Sequence, residues 1–264
     1  MKYRIIVAAC ILPILHITSV GAFVEDPCRK ILAEGFYNEY SRSNAKLRDE
    51  AMFAKLCSSN FQQARQAVNR AQQSGIDGSF GASYGLFNPG RNGKQAGVQP
   101  SESTFNEDRF SQWKSAYCSK NSLADSSRAA EFLMQKIVPR SVTSAWSACM
   151  RQREGLTCWA TPQGAQNEGI LLNVNWVKNS STQPEVQHSF LTRGGVSKFG
   201  DASRKILPVG YHLNAGKLQI PITRETDRAI VASLQANHEG VEHSCSVFIP
   251  GDRDFALSTP FIAQ

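Results

Sequence analysis

Gly81-Ala82-Ser83-Tyr84-Gly85 spells G-x-S-x-G. In hydrolases this pattern sets a nucleophilic serine on a strained turn between a strand and a helix, and the small glycines make that turn sterically possible. The residues around Ser83 do not supply that setting. A helix-forming stretch precedes it, no strand pattern leads in, and Asn88-Pro89-Gly90 stops a helix from starting behind it. Ser-x-x-Lys occurs at Ser43–Lys46 and at Ser111–Lys114, without the companion Ser-Asp-Asn or Lys-Thr-Gly sequences. Ser83 is thus the one candidate nucleophile, and no catalytic set is assembled around it.

His188, His212, His238 and His243 all lie in the C-terminal half. His238-Glu239-Gly240-Val241-Glu242-His243 falls one residue short of a zinc-protease helix, because HExxH needs its second histidine where Glu242 stands. Positions i and i+4 share a helix face, and i and i+5 do not. Gly240 moreover suits a hairpin turn. His238, Glu242 and His243 are the candidate metal ligands at a sheet edge, against an ordinary reading as hairpin residues. Asp252 and Asp254 read as a solvated turn, with too few oxygen ligands nearby for calcium. No cofactor loop is present, and no cofactor is expected.

The segment that holds Ser83 offers a different chemistry. Gly75, Gly78, Gly81, Gly85, Gly90, Gly93 and Gly97 punctuate a long loop over 75–103. Connections between helices usually need only a few residues, and loops this long are functional or disordered. Phe80, Tyr84, Phe87, Arg91 and Lys94 give it the aromatic and basic side chains of a binding surface. The same residues admit a membrane-active effector that inserts the 80–87 loop into lipid.

The elements that must position these residues begin with an export signal. Lys2 and Arg4 precede an apolar run from Ile5 to about Ile17, and Val20-Gly21-Ala22 is a small-residue cleavage pattern. Residues 1–22 therefore read as a secretory signal peptide, cut after Ala22. The apolar run is shorter than the ~20 residues a membrane span needs, and no transmembrane span is expected in the mature chain. Lipid attachment at Cys10 is disfavoured, because too little apolar sequence precedes it. Cleavage leaves Cys28, Cys57, Cys118, Cys149, Cys158 and Cys245, an even set that suits three disulfides in an oxidising compartment. Spacing favours Cys149 with Cys158 as the first pairing. No CxxC occurs, which argues against a zinc ribbon or a thioredoxin-like site.

The mature chain changes character near residue 155. Over 23–154 the apolar residues recur at helical spacing. Asp26-Pro27 reads as cap and first helical residue, and Cys28, Ile31, Leu32, Gly35, Phe36 and Tyr40 follow on one face. A second stretch runs from about Asn44 to Gln73, with Ser58-Ser59 as a possible break. Thr104-Phe105-Asn106-Glu107 reads as a capping box. Asp125 and Ser141 are read as caps of the last two helices. Val142, Ala145, Trp146, Cys149 and Met150 form a regular apolar stripe, which is a packing face. Over 155–264 the pattern alternates instead. Ile170, Leu172, Val174 and Trp176 oppose Asn173 and Asn175, and Leu218, Ile220 and Ile222 repeat the rhythm. Further strands are expected near 156–161, 184–193, 205–213, 228–237 and from Val241 to Ile249. About seven short strands between turn residues imply an antiparallel β-sandwich. The fold expected is α+β, an N-terminal helical domain over 23–154 followed by a C-terminal antiparallel β-sandwich over 155–264.

The net charge of +7 is mild. Lys2 and Arg4 account for two of these charges and the strand-rich half is balanced, so the remaining excess of five sits on the helical half, where Arg65, Arg70, Arg91, Lys94 and Arg109 are scattered. Such dispersion marks an ordinary solvated surface. Export and the lack of any helix-turn-helix, zinc-finger or RNP signature argue against nucleic acid. The sequence thus reads as an exported, disulfide-stabilised protein with a non-catalytic binding role at the cell envelope or outside the cell. Its partner would be a protein, glycan or lipid surface. The alternatives are a secreted hydrolase using Ser83 and the membrane-active effector.

Overall fold

A computed structural model describes residues 26–74, 105–118, 123–163, 169–178, 182–199, 205–252 and 254. Residues 1–25, which include the expected signal peptide, and the glycine-rich segment, with Phe80, Ser83, Tyr84, Phe87, Arg91 and Lys94, lie outside the described residues.

Helices come first. They are α1 (Pro27–Glu39), α2 (Ala45–Cys57), α3 (Phe61–Gln73), α4 (Glu107–Tyr117), α5 (Leu123–Gln135) and α6 (Arg140–Arg151). Asp26 caps α1 as its sequence suggests, its carboxylate accepting from the Cys28 amide at 3.1 Å with Pro27 behind it. The long second stretch does break after Ser58-Ser59, because Asn60 and Gln63 form a reciprocal capping box that starts α3. Three caps differ from the sequence reading. Asn106, not Thr104, caps α4, accepting from the Arg109 amide at 2.9 Å. Phe105 before it packs on Phe110, a hydrophobic staple that fixes the entry of the chain. Asp125 lies inside the first turn of α5 instead of capping it, where its charge suits the helix dipole. Arg140 starts α6 ahead of Ser141, with no side-chain cap, because the Pro139 carbonyl already accepts from the amides of Val142 and Thr143.

Three disulfides cross-link the chain. Cys28 joins Cys149 between α1 and α6, and Cys57 joins Cys118 at the ends of α2 and α4. Cys158 joins Cys245. The pairing expected from spacing, Cys149 with Cys158, is therefore overturned. Cys149 faces α1 from the apolar stripe of α6, while Cys158 has already entered the first strand.

The strands are β1 (Gly155–Gln163), β2 (Gly169–Val177), β3 (Glu185–Leu191), β4 (Gly195–Ser197), β5 (Gly216–Arg224), β6 (Ile230–His238) and β7 (Val241–Ile249). One sheet has the order β1-β2-β5-β4 and the other β3-β6-β7, all antiparallel. Ile170, Leu172 and Val174 from the first sheet share one buried core with Val186, Leu234 and Ile249 from the second. The two sheets thus form a sandwich, stitched by Cys158–Cys245 across the adjacent edges β1 and β7. The segment 205–213 is not a strand. Pro208 and Gly210 (φ +83°) break its pleat, and it meets β3 through one isolated bridge, Glu185–His212, with backbone hydrogen bonds between Val186 and both Gly210 and Tyr211 beside it. Ile206, Leu207 and Leu213 still reach the core, which is what made the segment look strand-like.

Helices and sandwich are packed together. Strand alternation turns Cys158 and Ala160 of β1 inward, and sends Trp159 outward into the helical core with Trp146. Phe248 of β7 does the same, and Phe132 of α5 reaches back into the sandwich core. Edge strands offer unpaired backbone groups, and here α5 packs on both β1 and β7. Asn173 and Asn175 are consequently buried on the outer face. Asn175 donates to the Arg151 carbonyl at 3.1 Å, and Asn173 donates to Thr161 at 3.0 Å.

Candidate functional site: a cationic cleft between helices and sandwich

A cleft of about 70 Å³ opens where α1, α5 and α6 meet β1 and β7. Its cations are Arg29 on α1, Arg128 on α5 and Arg153 just after α6. Its apolar lining includes Phe132, Trp146, Met150, Trp159 and Phe248. Two of the three arginines are held by acids. Arg29 Nε lies 2.6 Å from Glu131 Oε1, and Arg153 pairs with Asp26. Arg128 has no ion-pair partner within 4.0 Å among the described residues, and donates one hydrogen bond, to Ser246 Oγ at 3.2 Å. A guanidinium has five N–H donors in a rigid fork, so most of those on Arg128 are uncommitted.

The lining also holds polar atoms with no partner among the described residues. Trp146 and Trp159 are 1% and 3% exposed, and neither indole N–H has an acceptor. Gln135 donates to the Ala160 carbonyl at 3.0 Å, which leaves its own Oε1 unpaired. Each such buried group costs about 1–3 kcal/mol when left unsatisfied. Burial raises the Glu131 carboxyl above the ordinary carboxylate value, against the pull of Arg29, Arg128 and Lys55. Burial also lowers Arg128, opposed by Glu131 and Asp125. Arginine remains charged under such shifts.

The histidines form a second cluster at the far end of the sandwich. Glu239 (φ +54°) and Gly240 (φ +83°) make the β6–β7 turn, as two consecutive positive φ angles require in a type I′ hairpin. Trp176 packs against the rings of both His238 and His243, with centroids 5.0 and 4.9 Å away, and the two imidazoles lie 6.4 Å from each other. His238 is buried, with Nδ1 2.9 Å from Lys178 Nζ and Nε2 2.8 Å from Thr182 Oγ1. An ammonium only donates, so Nδ1 accepts and the ring proton sits on Nε2. Thr182 donates onward to Glu239 at 2.7 Å. That bond, with the Lys178 ammonium nearby, holds the Glu239 carboxyl below its ordinary value. Burial lowers His243, helped by Lys178 and His238.

The structure brings His238 and His243 together and leaves Glu242 out. In the β6–β7 register His238 pairs with Val241 and Glu242 with Asn237, so alternation puts Glu242 on the opposite face from His243. Among the described residues, no group of three or more His, Cys, Asp or Glu side chains is placed to hold a metal. His188 lies on β3 and His212 on its bridging segment, both away from this cluster in the pairing. Asp252 reaches Arg224 at 3.7 Å, and Asp254 accepts from the Gly251 amide at 2.8 Å. The cleft itself was not evident from sequence, because Arg29, Arg128 and Arg153 are distant along the chain and join only through the Cys28–Cys149 bridge and the packing of α5 on the sheets. One local signal was present: Arg128 stands four residues before Phe132, on the buried face of α5.

No protein-family model matches the chain, and no curated protein matches it. Among solved structures, it is similar to the solution NMR structure of residues 27–141 of a conjugate transposon protein from Bacteroides vulgatus. The identity is 20%, over 39% of this chain and 89% of that one, with a TM-score of 0.28. At that score the likeness carries no argument about fold or function.

Proposed function

We propose that this chain is an exported, disulfide-stabilised binding protein of the cell envelope or extracellular space, with the helix–sandwich cleft as its ligand site. One observation carries the binding role. The cleft draws a free guanidinium, two unpartnered indoles and an apolar wall from both halves of the chain, yet holds no activated nucleophile. Its one cysteine, Cys158, is in a disulfide, and its one carboxyl, on Glu131, is tied to Arg29. Three disulfides support export to an oxidising compartment. Among the described residues, no helix is long and apolar enough to cross a membrane. The 75–103 loop, with Phe80, Tyr84, Phe87, Arg91 and Lys94, is proposed as a second contact surface toward protein, glycan or lipid.

The test is an intact mass of the exported protein after native thiol alkylation and treatment with a serine-directed fluorophosphonate. The expected species begins at Phe23, carries no alkyl group and carries no probe. A probe adduct on Ser83 would replace this reading with a secreted hydrolase. Alkylated cysteines would contradict the oxidised state.

A further inference from the structure

We propose that the cleft binds a carboxylate, received by Arg128 and flanked by the indoles of Trp146 and Trp159; this ligand class rests on the reading of the chain as a binding protein. The charge balance selects a monoanion. Arg29 and Arg153 are neutralised by Glu131 and Asp26, which leaves one positive charge, on Arg128. Lys55 and Asp125, which act on Glu131 and Arg128 from further away, cancel one another and keep that balance. A doubly charged phosphate would overfill it.

Shape and hydrogen bonding agree. The planar guanidinium fork matches a planar carboxylate with two parallel bonds. A carboxylate only accepts; of the unsatisfied groups in the lining, those of Arg128, Trp146 and Trp159 donate and would meet it, while Gln135 Oε1 accepts and takes no part in holding it. About 70 Å³ holds a few waters, or a carboxylate with a short apolar stem lying along Phe132 and Phe248. Two sources present this chemistry: a free short-chain acid, and an acidic side chain of a polypeptide.

The chain has four tryptophans, so its indole N–H resonances can be followed singly in isotope-labelled mature protein. Sodium butyrate and its neutral isostere butyramide are the first probes. A capped tripeptide with a central Glu, and the same peptide with Gln, are the second pair. Butyrate is expected to move the Trp146 and Trp159 resonances and to leave Trp113 and Trp176 in place. Arg128→Gln is expected to weaken that binding roughly tenfold or more, the loss of a charge-assisted pair. Preference for the Glu peptide over butyrate identifies a polypeptide source, and preference for butyrate a free acid. Equal shifts with butyramide would overturn the carboxylate assignment and leave a binding cleft standing. Silence of both indoles to all four probes would overturn the assignment and the cleft together. Should Arg128→Gln fail to fold, the comparison of butyrate with butyramide on the unaltered protein still decides.

Discussion

Gly35→Ala should destabilise the protein, although alanine is the better helix former. Gly35 lies at the crossing of α1 with α6, and a Cβ there would stand 2.5 Å from Val142 Cγ1, 3.1 Å from Cγ2 and 3.3 Å from Cβ. The rotation of Val142 that would turn its Hβ toward Gly35 leaves Cβ itself 3.3 Å away, and it departs from the one rotamer that valine strongly prefers in a helix. The helices cannot simply part. Cys28 and Cys149 are bonded two turns away, about 10 Å along each helix. Overpacking of this kind costs roughly 1–3 kcal/mol, and replacing a helical glycine by alanine returns about 0.5–1 kcal/mol. At the middle of these ranges the net loss is about 1 kcal/mol, or roughly 2–4 °C in Tm for a chain of this size. Thermal unfolding by circular dichroism measures it, with Val142→Ala as the partner. In the Val142→Ala background the 2.5 and 3.1 Å methyl contacts are gone and only the 3.3 Å approach of Cβ remains, so Gly35→Ala should change sign and stabilise by up to about 0.5–1 kcal/mol. A Gly35→Ala effect of the same sign and size in both backgrounds would refute the close-contact reasoning. Because Arg29 and Trp146 ride on these two helices, the same variant should also weaken any ligand of the cleft.

Gly251→Ala should be harsher, with a loss above about 2 kcal/mol, because the new Cβ would meet backbone atoms of Asp227, Arg228 and Ala229 at 2.6–2.8 Å; chemical denaturation reads it. Removing the Cys57–Cys118 bridge by paired alanines, with a sequence separation of 61, should lower stability by roughly 2–4 kcal/mol. That bridge lies at the ends of α2 and α4, away from the cleft, so ligand binding should survive. His243 has a folded pKa below its ordinary value, so the unfolded chain takes up its proton first as pH falls. Its contribution is present above about pH 6.5 and is lost on acidification below that value. Glu50 and Glu131, raised by burial, work the other way and favour the fold as pH falls toward the ordinary carboxylate range. The His243 part is therefore read as a difference: the stability advantage of the parent over His243→Gln should shrink between pH 7 and pH 5, and a constant difference would remove His243 from the pH response.

Local chemistry made much of the fold legible. Asp26-Pro27 announces α1 because one side chain satisfies an orphan amide and the next residue has no amide to satisfy. The alternation of Ile170, Leu172 and Val174 reveals β2 because the pleat has a period of two. The cap of α4 moved from Thr104 to Asn106, since neighbouring Thr and Asn side chains compete for the same amides, while α6 starts at Arg140 without a side-chain cap. The 205–213 segment misled because burial of Ile206 and Leu207 does not demand a strand. Disulfide pairing and the cleft were illegible for a shared reason. Both depend on which faces of distant elements meet, and short spacing, as between Cys149 and Cys158, carries no information about that. Asn173 and Asn175 looked solvent-facing because nothing local shows that helices cover the outer face of β2.

The frame of the arginine cleft depends on cross-links within each part, Cys28–Cys149 among the helices and Cys158–Cys245 in the sandwich, and a peptide map of the purified protein under non-reducing conditions tests it most directly. The expected map contains Cys28–Cys149, Cys57–Cys118 and Cys158–Cys245 and no free thiol. A Cys149–Cys158 peptide, or free thiols at these positions, would contradict it, since α1 would then be unbound from α6 and the arginine cleft would lose the frame that assembles it.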